Sequence, residues 1–271
     1  MTQRSSILLV LTAGALLFSP ANSAHSQLYF SRDDSGDGLY ILDTVTGAAT
    51  QVGVSGVTSN TVGLSESADP TKLFGSTFSK LHLINTDGSG FVDLGAAGLE
   101  GLAFDPVANK LYGSLGNEQG GVPNYNLYVI DQSTGAIQSV LADPPVDIEG
   151  LAYGNGGVYG LPRFDDHLYF YNPITNSWSV VGDTNVVWNL SGLAYDPIQN
   201  VLYGKGFQDT FLYRIDPSTA ATVVVGNTGI AQGGGLAFIA FIPIPEPASL
   251  MLIALPCVAA MLIRRRSATA Q

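Results

Sequence analysis

Four short apolar motifs recur along this chain in a fixed order, which leaves few ways to bury them. The first reads Gly101–Leu102–Ala103–Phe104, Gly150–Leu151–Ala152–Tyr153, Gly192–Leu193–Ala194–Tyr195 and Gly235–Leu236–Ala237–Phe238, with Gly63–Leu64 as a decayed copy. The second reads Leu73–Phe74–Gly75, Leu111–Tyr112–Gly113, Val158–Tyr159–Gly160 and Leu202–Tyr203–Gly204. The third opens at Leu39, Leu81, Leu127, Leu168 and Leu212 and closes on Asp or Asn, as in Leu127–Tyr128–Val129–Ile130–Asp131. The fourth ends in Val52–Gly53, Val181–Gly182 or Val225–Gly226, with looser versions at Leu94–Gly95 and Val140–Leu141. Successive third motifs start 42, 46, 41 and 44 residues apart. Four short strands in a period of roughly 40–45 residues build one blade of a β-propeller.

The connections carry turn chemistry. Asp69–Pro70, Asp105–Pro106 and Asp196–Pro197 separate first from second motifs, and Thr46–Gly47, Asp87–Gly88 and Thr134–Gly135 separate third from fourth. Aromatic and β-branched residues fill the motifs, and no amphipathic helical period interrupts them between residues 28 and 241. The two ends are complementary. The repeat region opens at Leu28–Tyr29–Phe30, a second strand lacking a first, and finishes at Gly235–Phe238, a first strand lacking a second. Joining them closes a ring and removes the sheet edges that invite aggregation. The fold expected is all-β: a five-bladed β-propeller of four-stranded blades over residues 27–242. The pattern Gly-Leu-Ala-Phe-Asp-Pro followed by Leu-Tyr-Gly resembles the broad family of bacterial extracytoplasmic propellers, which includes lactonase-like, NHL-type and surface-layer-associated proteins. That resemblance implies blade geometry and leaves function open.

Targeting segments flank the repeats. Arg4 precedes an apolar run, Ile7–Phe18, broken by Ser19–Pro20 and followed by small residues, with cleavage expected after Ser23, Ala24 or Ser26. Residues 1–26 therefore read as a secretory signal peptide, drawn as a helix. At the other end Pro245–Glu246–Pro247–Ala248–Ser249 leads into an apolar run and then Arg264–Arg265–Arg266. Residues 248–263 make a transmembrane helix of about 24 Å, short of the roughly 30 Å hydrocarbon core unless the arginines snorkel; the basic cluster sets that end inside. Residues 243–271 resemble the PEP-CTERM sorting signal. The resemblance implies processing near Glu246 by an exosortase-type membrane protease and delivery to the cell envelope, cell surface or extracellular matrix after transient anchoring in the inner membrane. An uncut C-terminal anchor is the other reading.

The only cysteine, Cys257, lies in that apolar run, so the repeat region forms no disulfide. Residues 28–241 hold 21 of the 22 acidic residues and 7 of the 11 Lys and Arg. Nucleic acid is thereby excluded as a partner, because phosphate binding needs the opposite sign.

Candidate site residues are few. Glu100 and Glu149 immediately precede the first motif in consecutive repeats, where Val62, Ser191 and Gly234 stand elsewhere. Two carboxylates at the mouth of the axis, with Asp147 or Asn189, suit a Ca²⁺ ion; bonding to neighbouring backbone amides is the simpler role. Asp33–Asp34–Ser35–Gly36–Asp37–Gly38 resembles a calcium loop but has Thr44 where a bidentate Glu belongs, and a polar turn explains it as well. His25, His82 and His167 assemble no catalytic base. Trp178 and Trp188 suit stacking on sugar rings, or packing between blades. Taken together, an exported, non-enzymatic surface or matrix binding module associated with exopolysaccharide is expected. The rival is a metal-dependent hydrolase, lactonase-like or glycan-acting, with a divalent cation held by Glu100 and Glu149.

Overall fold

The computed structural model describes residues 26–34, 38–53, 60–115, 125–189 and 191–240. Their strands form five antiparallel four-stranded sheets. One sheet takes β1 (Gln27–Ser31), β2 (Leu39–Leu42) and β3 (Ala49–Val52) from the start of the repeat region. The next three to follow are β4 (Gly63–Glu66) to β7 (Val92–Ala96), β8 (Gly101–Asp105) to β11 (Ile137–Val140) and β12 (Ile148–Gly154) to β15 (Ser177–Asp183). The last runs from β16 (Gly192–Asp196) through β17 (Val201–Lys205) and β18 (Phe211–Ile215) to β19 (Thr222–Asn227). A final strand, β20 (Leu236–Ile239), returns to pair with β1, Leu28 opposite Phe238 and Tyr29 opposite Ala237. The complementary ends thus make one blade, and the inner strands β4, β8, β12, β16 and β20 each touch the next around a closed ring. This is the five-bladed β-propeller expected.

Burial explains the motifs. The leucine that opens each third motif (Leu39, Leu81, Leu127, Leu168, Leu212) has no exposed surface, and each is worth roughly 1.5–3 kcal/mol relative to an exposed position. The apolar clusters span blade boundaries. One joins Tyr112 and Leu127 to Ile148, Leu151 and Val158 of the following blade; another joins Tyr159 and Leu168 to Trp188, Leu193 and Leu202. The core is therefore a ring of inter-blade interfaces. Ladder register shifts between third and fourth strands in four blades, an irregularity that increases local twist. The turn aspartates act as local caps. Asp43 Oδ1 accepts the N–H groups of Val45 and Thr46 at 2.8 and 2.7 Å, and Asp131 and Asp216 repeat the arrangement.

Two sets of glycines set how close the blades come. On the axis, a Cβ on Gly150 would stand 2.9 Å from the Ser191 carbonyl oxygen, and one on Gly63 2.7 Å from that of Glu100. Gly101, Gly192 and Gly235 face the next blade's backbone in the same way. Backbone therefore fills the axis. At the outer end, the glycine of each fourth strand meets the third-to-fourth turn of the next blade. A Cβ on Gly182 would lie 2.6 Å from the Thr219 carbonyl oxygen, and Gly53 packs on Gly88, Gly95 on Thr134 and Gly226 on Thr46. The remaining boundary uses a hydrogen bond instead, the Ala142 N–H donating to Asn176 Oδ1 at 3.0 Å.

Among the described residues no helix is long and apolar enough to cross a membrane. The expected signal helix, the 248–263 helix, the Pro245–Ser249 motif and Arg264–Arg266 lie outside the described residues.

Candidate functional site

The five residues that precede the inner strands converge at one end of the axis. Val62, Glu100, Glu149, Ser191 and Gly234 line a common cavity of about 10 Å³ together with Asp33. This is the set aligned by the repeat. Below it, the space bounded by Gly63, Gly101, Gly150, Gly192 and Gly235 is closed by the glycine packing already described.

Three carboxylates share the mouth. Glu100, Asp147 and Glu149 are 9%, 8% and 2% exposed, and each offers an oxygen within 4.8 Å of the others. Glu100 is placed by its own N–H, which donates to the Ser114 carbonyl at 2.8 Å. Asp147 is held by its carbonyl, which accepts the Arg163 N–H at 2.8 Å. Glu149 sits in an irregularity of the ladder: Ile148 faces Pro162 and Gly150 faces Leu161, and the register shifts between them. A bulge of this kind re-aims a side chain, and here it belongs to the most buried acid of the three. Arg163 supplies the facing positive charge, its Nε 3.6 Å from Glu149 Oε1, with its guanidinium 4.8 Å over the Phe164 ring. Charges taken out of water need such partners, because desolvation costs several kcal/mol per ion. Of the two accessory candidates, neither Asp147 nor Asn189 is among the residues lining the cavity; Asp147 joins the group through its carboxylate, within reach of both glutamates.

Beside this group lies a lysine with no exposed surface, Lys205. Its ammonium donates to the carbonyls of Gln232, Asp209 and Gly206 at 2.6, 3.2 and 3.3 Å and stands 4.8 Å over the Phe30 ring. It ties the β17–β18 and β19–β20 connections to the closing blade. Burial pushes its pKa down from 10.5 to about 8, against the opposing pull of Asp209 and Asp33. Asp33 is itself raised, first by burial and then by Asp34. Neither Arg163 nor Lys205 stands out in the sequence. Lys205 occupies the place held by Ser76 and Ser114 in other blades, opposite the first-strand glycine, and that substitution was the available signal.

Other expected residues fall elsewhere. Trp188 is 1% exposed, donates its indole N–H to Thr184 Oγ1 at 2.9 Å and meets Tyr213 edge-on. It has no face for a sugar ring, so the expected glycan contact is replaced by packing between blades. Trp178 is half-buried against Tyr171 and donates to the Ala142 carbonyl at 2.9 Å, again bridging two blades. In the calcium-like loop, Asp34 pairs with Arg32 at 2.6 Å while Asp33 borders the axial cavity; residues 35–37 lie outside the described residues. His82 is buried, stacked on Phe91 at 4.5 Å, and burial lowers its pKa to about 4. His167 is bound to Asp165 and Asp166 at 2.6 and 3.1 Å, and the Asp165 hydrogen bond raises its pKa. Neither histidine faces the axial carboxylates as a base.

Fold and site together define a closed five-bladed propeller with an acidic, backbone-packed axis. The chain is similar in structure to a chain of a nidogen/laminin complex, with a TM-score of 0.55 and 11% sequence identity over 80% of this chain and 99% of that one. At that identity the likeness speaks to the fold. No protein-family model matches the chain, and no curated protein matches it.

Proposed function

We propose that this is an exported propeller acting as a non-enzymatic binding module at the cell surface or in the extracellular matrix, in association with exopolysaccharide. In this reading the 243–271 segment is recognised by an exosortase-type enzyme after transient membrane anchoring. The observation that supports binding over hydrolysis is the closed axis. The cavity of about 10 Å³ between Glu100 and Glu149 has room for about one water or ion, and ligand sites for small molecules run to roughly 300–1,000 Å³. A hydrolase of the lactonase kind needs a substrate beside its metal. Binding then falls to the rims and outer strands, where β7, β11, β15 and β19 expose half or more of their residues. The excess of acidic residues over residues 28–241 favours solubility outside the cell.

The test is co-sedimentation of the full-length protein with exopolysaccharide purified from the producing cells, with reducing ends measured in the same tube. Retention without release of reducing ends is expected. Release of reducing ends that depends on a divalent cation would overturn the reading in favour of a hydrolase.

A further inference from the structure

We propose that the axial mouth is a divalent-cation site of hard-oxygen, calcium-type chemistry, built by Glu100, Asp147 and Glu149 with the hydroxyl of Ser191. This goes beyond the binding-module reading and does not depend on it.

Geometry supplies the first argument. Oxygens on opposite sides of one Ca²⁺ stand about 4.6–5.2 Å apart, twice the metal–oxygen distance. The three carboxylates each offer an oxygen within 4.8 Å of the others, so a point between them lies within about 2.8 Å of all three, near the 2.3–2.6 Å of a calcium–oxygen bond. Ser191 is the second and independent observation. It is 2% exposed, lines the same cavity as Glu100 and Glu149, and its Oγ has no hydrogen-bond partner. A buried hydroxyl left in that state costs about 1–3 kcal/mol, and a cation in the cavity would use it as a neutral oxygen ligand.

Charge and size agree. The acidic cluster of Glu100, Asp147 and Glu149, with Arg163 reaching Glu149 at 3.6 Å, is a setting that favours a divalent cation. Asp33 lines the same cavity and feels Lys205 and, more weakly, Arg32, which is itself paired with Asp34. The cavity of about 10 Å³ fits one ion and excludes a larger ligand. The donors are all oxygen, which selects Ca²⁺ over metals that prefer nitrogen or sulfur. The cluster of Asp165, Asp166 and His167 differs: there His167 already occupies both carboxylates.

The ligands come from three consecutive blades. Glu100 precedes β8, Asp147 and Glu149 lie at the start of β12, and Ser191 precedes β16. A bound ion would therefore add a clamp between inner strands that already meet through glycine contacts and shared apolar clusters. In a ring without disulfides that clamp is a source of stability wherever calcium is plentiful.

The experiment titrates the chelator-stripped full-length protein with CaCl₂ by calorimetry and follows thermal unfolding with and without it. One Ca²⁺ per chain is expected, with Tm raised by about 5–10 °C at a hundredfold excess over Kd. Glu149→Gln keeps the shape and removes a charge, and is expected to weaken binding at least about tenfold. Ser191→Ala removes only the neutral ligand and should weaken binding less. Near-UV circular dichroism of the stripped variants establishes that they fold; if Glu149→Gln does not, Glu100→Gln takes its place. Absence of a calcium-dependent Tm rise in the wild type overturns the proposal. So does wild-type affinity in both Glu149→Gln and Ser191→Ala, which would put the ion elsewhere.

Discussion

Replacing Gly150 by alanine measures how tightly the axis is packed. The new Cβ would lie 2.9 Å from the Ser191 carbonyl oxygen, 3.2 Å from its Oγ and 3.3 Å from Leu193 Cβ. Attractive contacts between heavy atoms begin near 3.5 Å, so the nearest one is about 0.6 Å too close, and it is backbone that no rotamer change relieves. Overpacking of this kind costs about 1–3 kcal/mol. The smaller entropy loss of alanine returns about 0.5–1 kcal/mol, for a net loss of about 0–2.5 kcal/mol. In a domain of this size that lowers Tm by up to about 10 °C. Two further variants bracket the effect. Gly206→Ala meets nothing nearer than 3.5 Å, and Gly63→Ala meets the Glu100 carbonyl oxygen at 2.7 Å as well as the Ser76 hydroxyl. Thermal and urea unfolding of the three should rank them Gly206, Gly150, Gly63 in order of increasing loss. Equal midpoints for all three, or a more stable Gly150→Ala, would refute the claim that backbone contact closes the axis.

Lys205 predicts a pH dependence of stability. Its folded pKa, about 8, lies below the ordinary 10.5, so between those values the unfolded chain binds more protons and stability rises with pH, by roughly 3 kcal/mol across the window. Urea midpoints from pH 7.5 to 9, below the range where the buried tyrosines titrate, should climb in the wild type relative to Lys205→Met; parallel curves would reject the buried ammonium as the cause. Glu246→Ala should leave the untrimmed chain in the membrane fraction, whereas the wild type is recovered as a shorter surface form. Trimming of that variant at the normal rate would sink the sorting-signal proposal.

Much of this protein is legible in its sequence because the repeated signals are local. Strand motifs, aspartate-capped turns and their spacing each rest on residues a few positions apart, and five copies reinforce one another. Closure of the ring was readable too, since a missing first strand at one end and a missing second strand at the other leave β1 and β20 a single partner. The repeat also aligned Glu100 and Glu149 with Val62, Ser191 and Gly234, the residues that line the axial cavity.

What the tertiary structure decided involves residues one blade apart. Gly226 and Thr46 lie at opposite ends of the repeat region yet touch across a blade boundary, so the Val-Gly and Thr-Gly motifs are two halves of an outer latch as well as local turn chemistry. Trp188 looks available for a ligand until the neighbouring strands cover it. Arg163 and Lys205 carry no local pattern, and only the convergence of loops gives one a carboxylate and the other three carbonyls. Hydrophobic periodicity reports which residues leave water. Which residues they then meet is set by the closure of the ring, and that is a property of all five blades together.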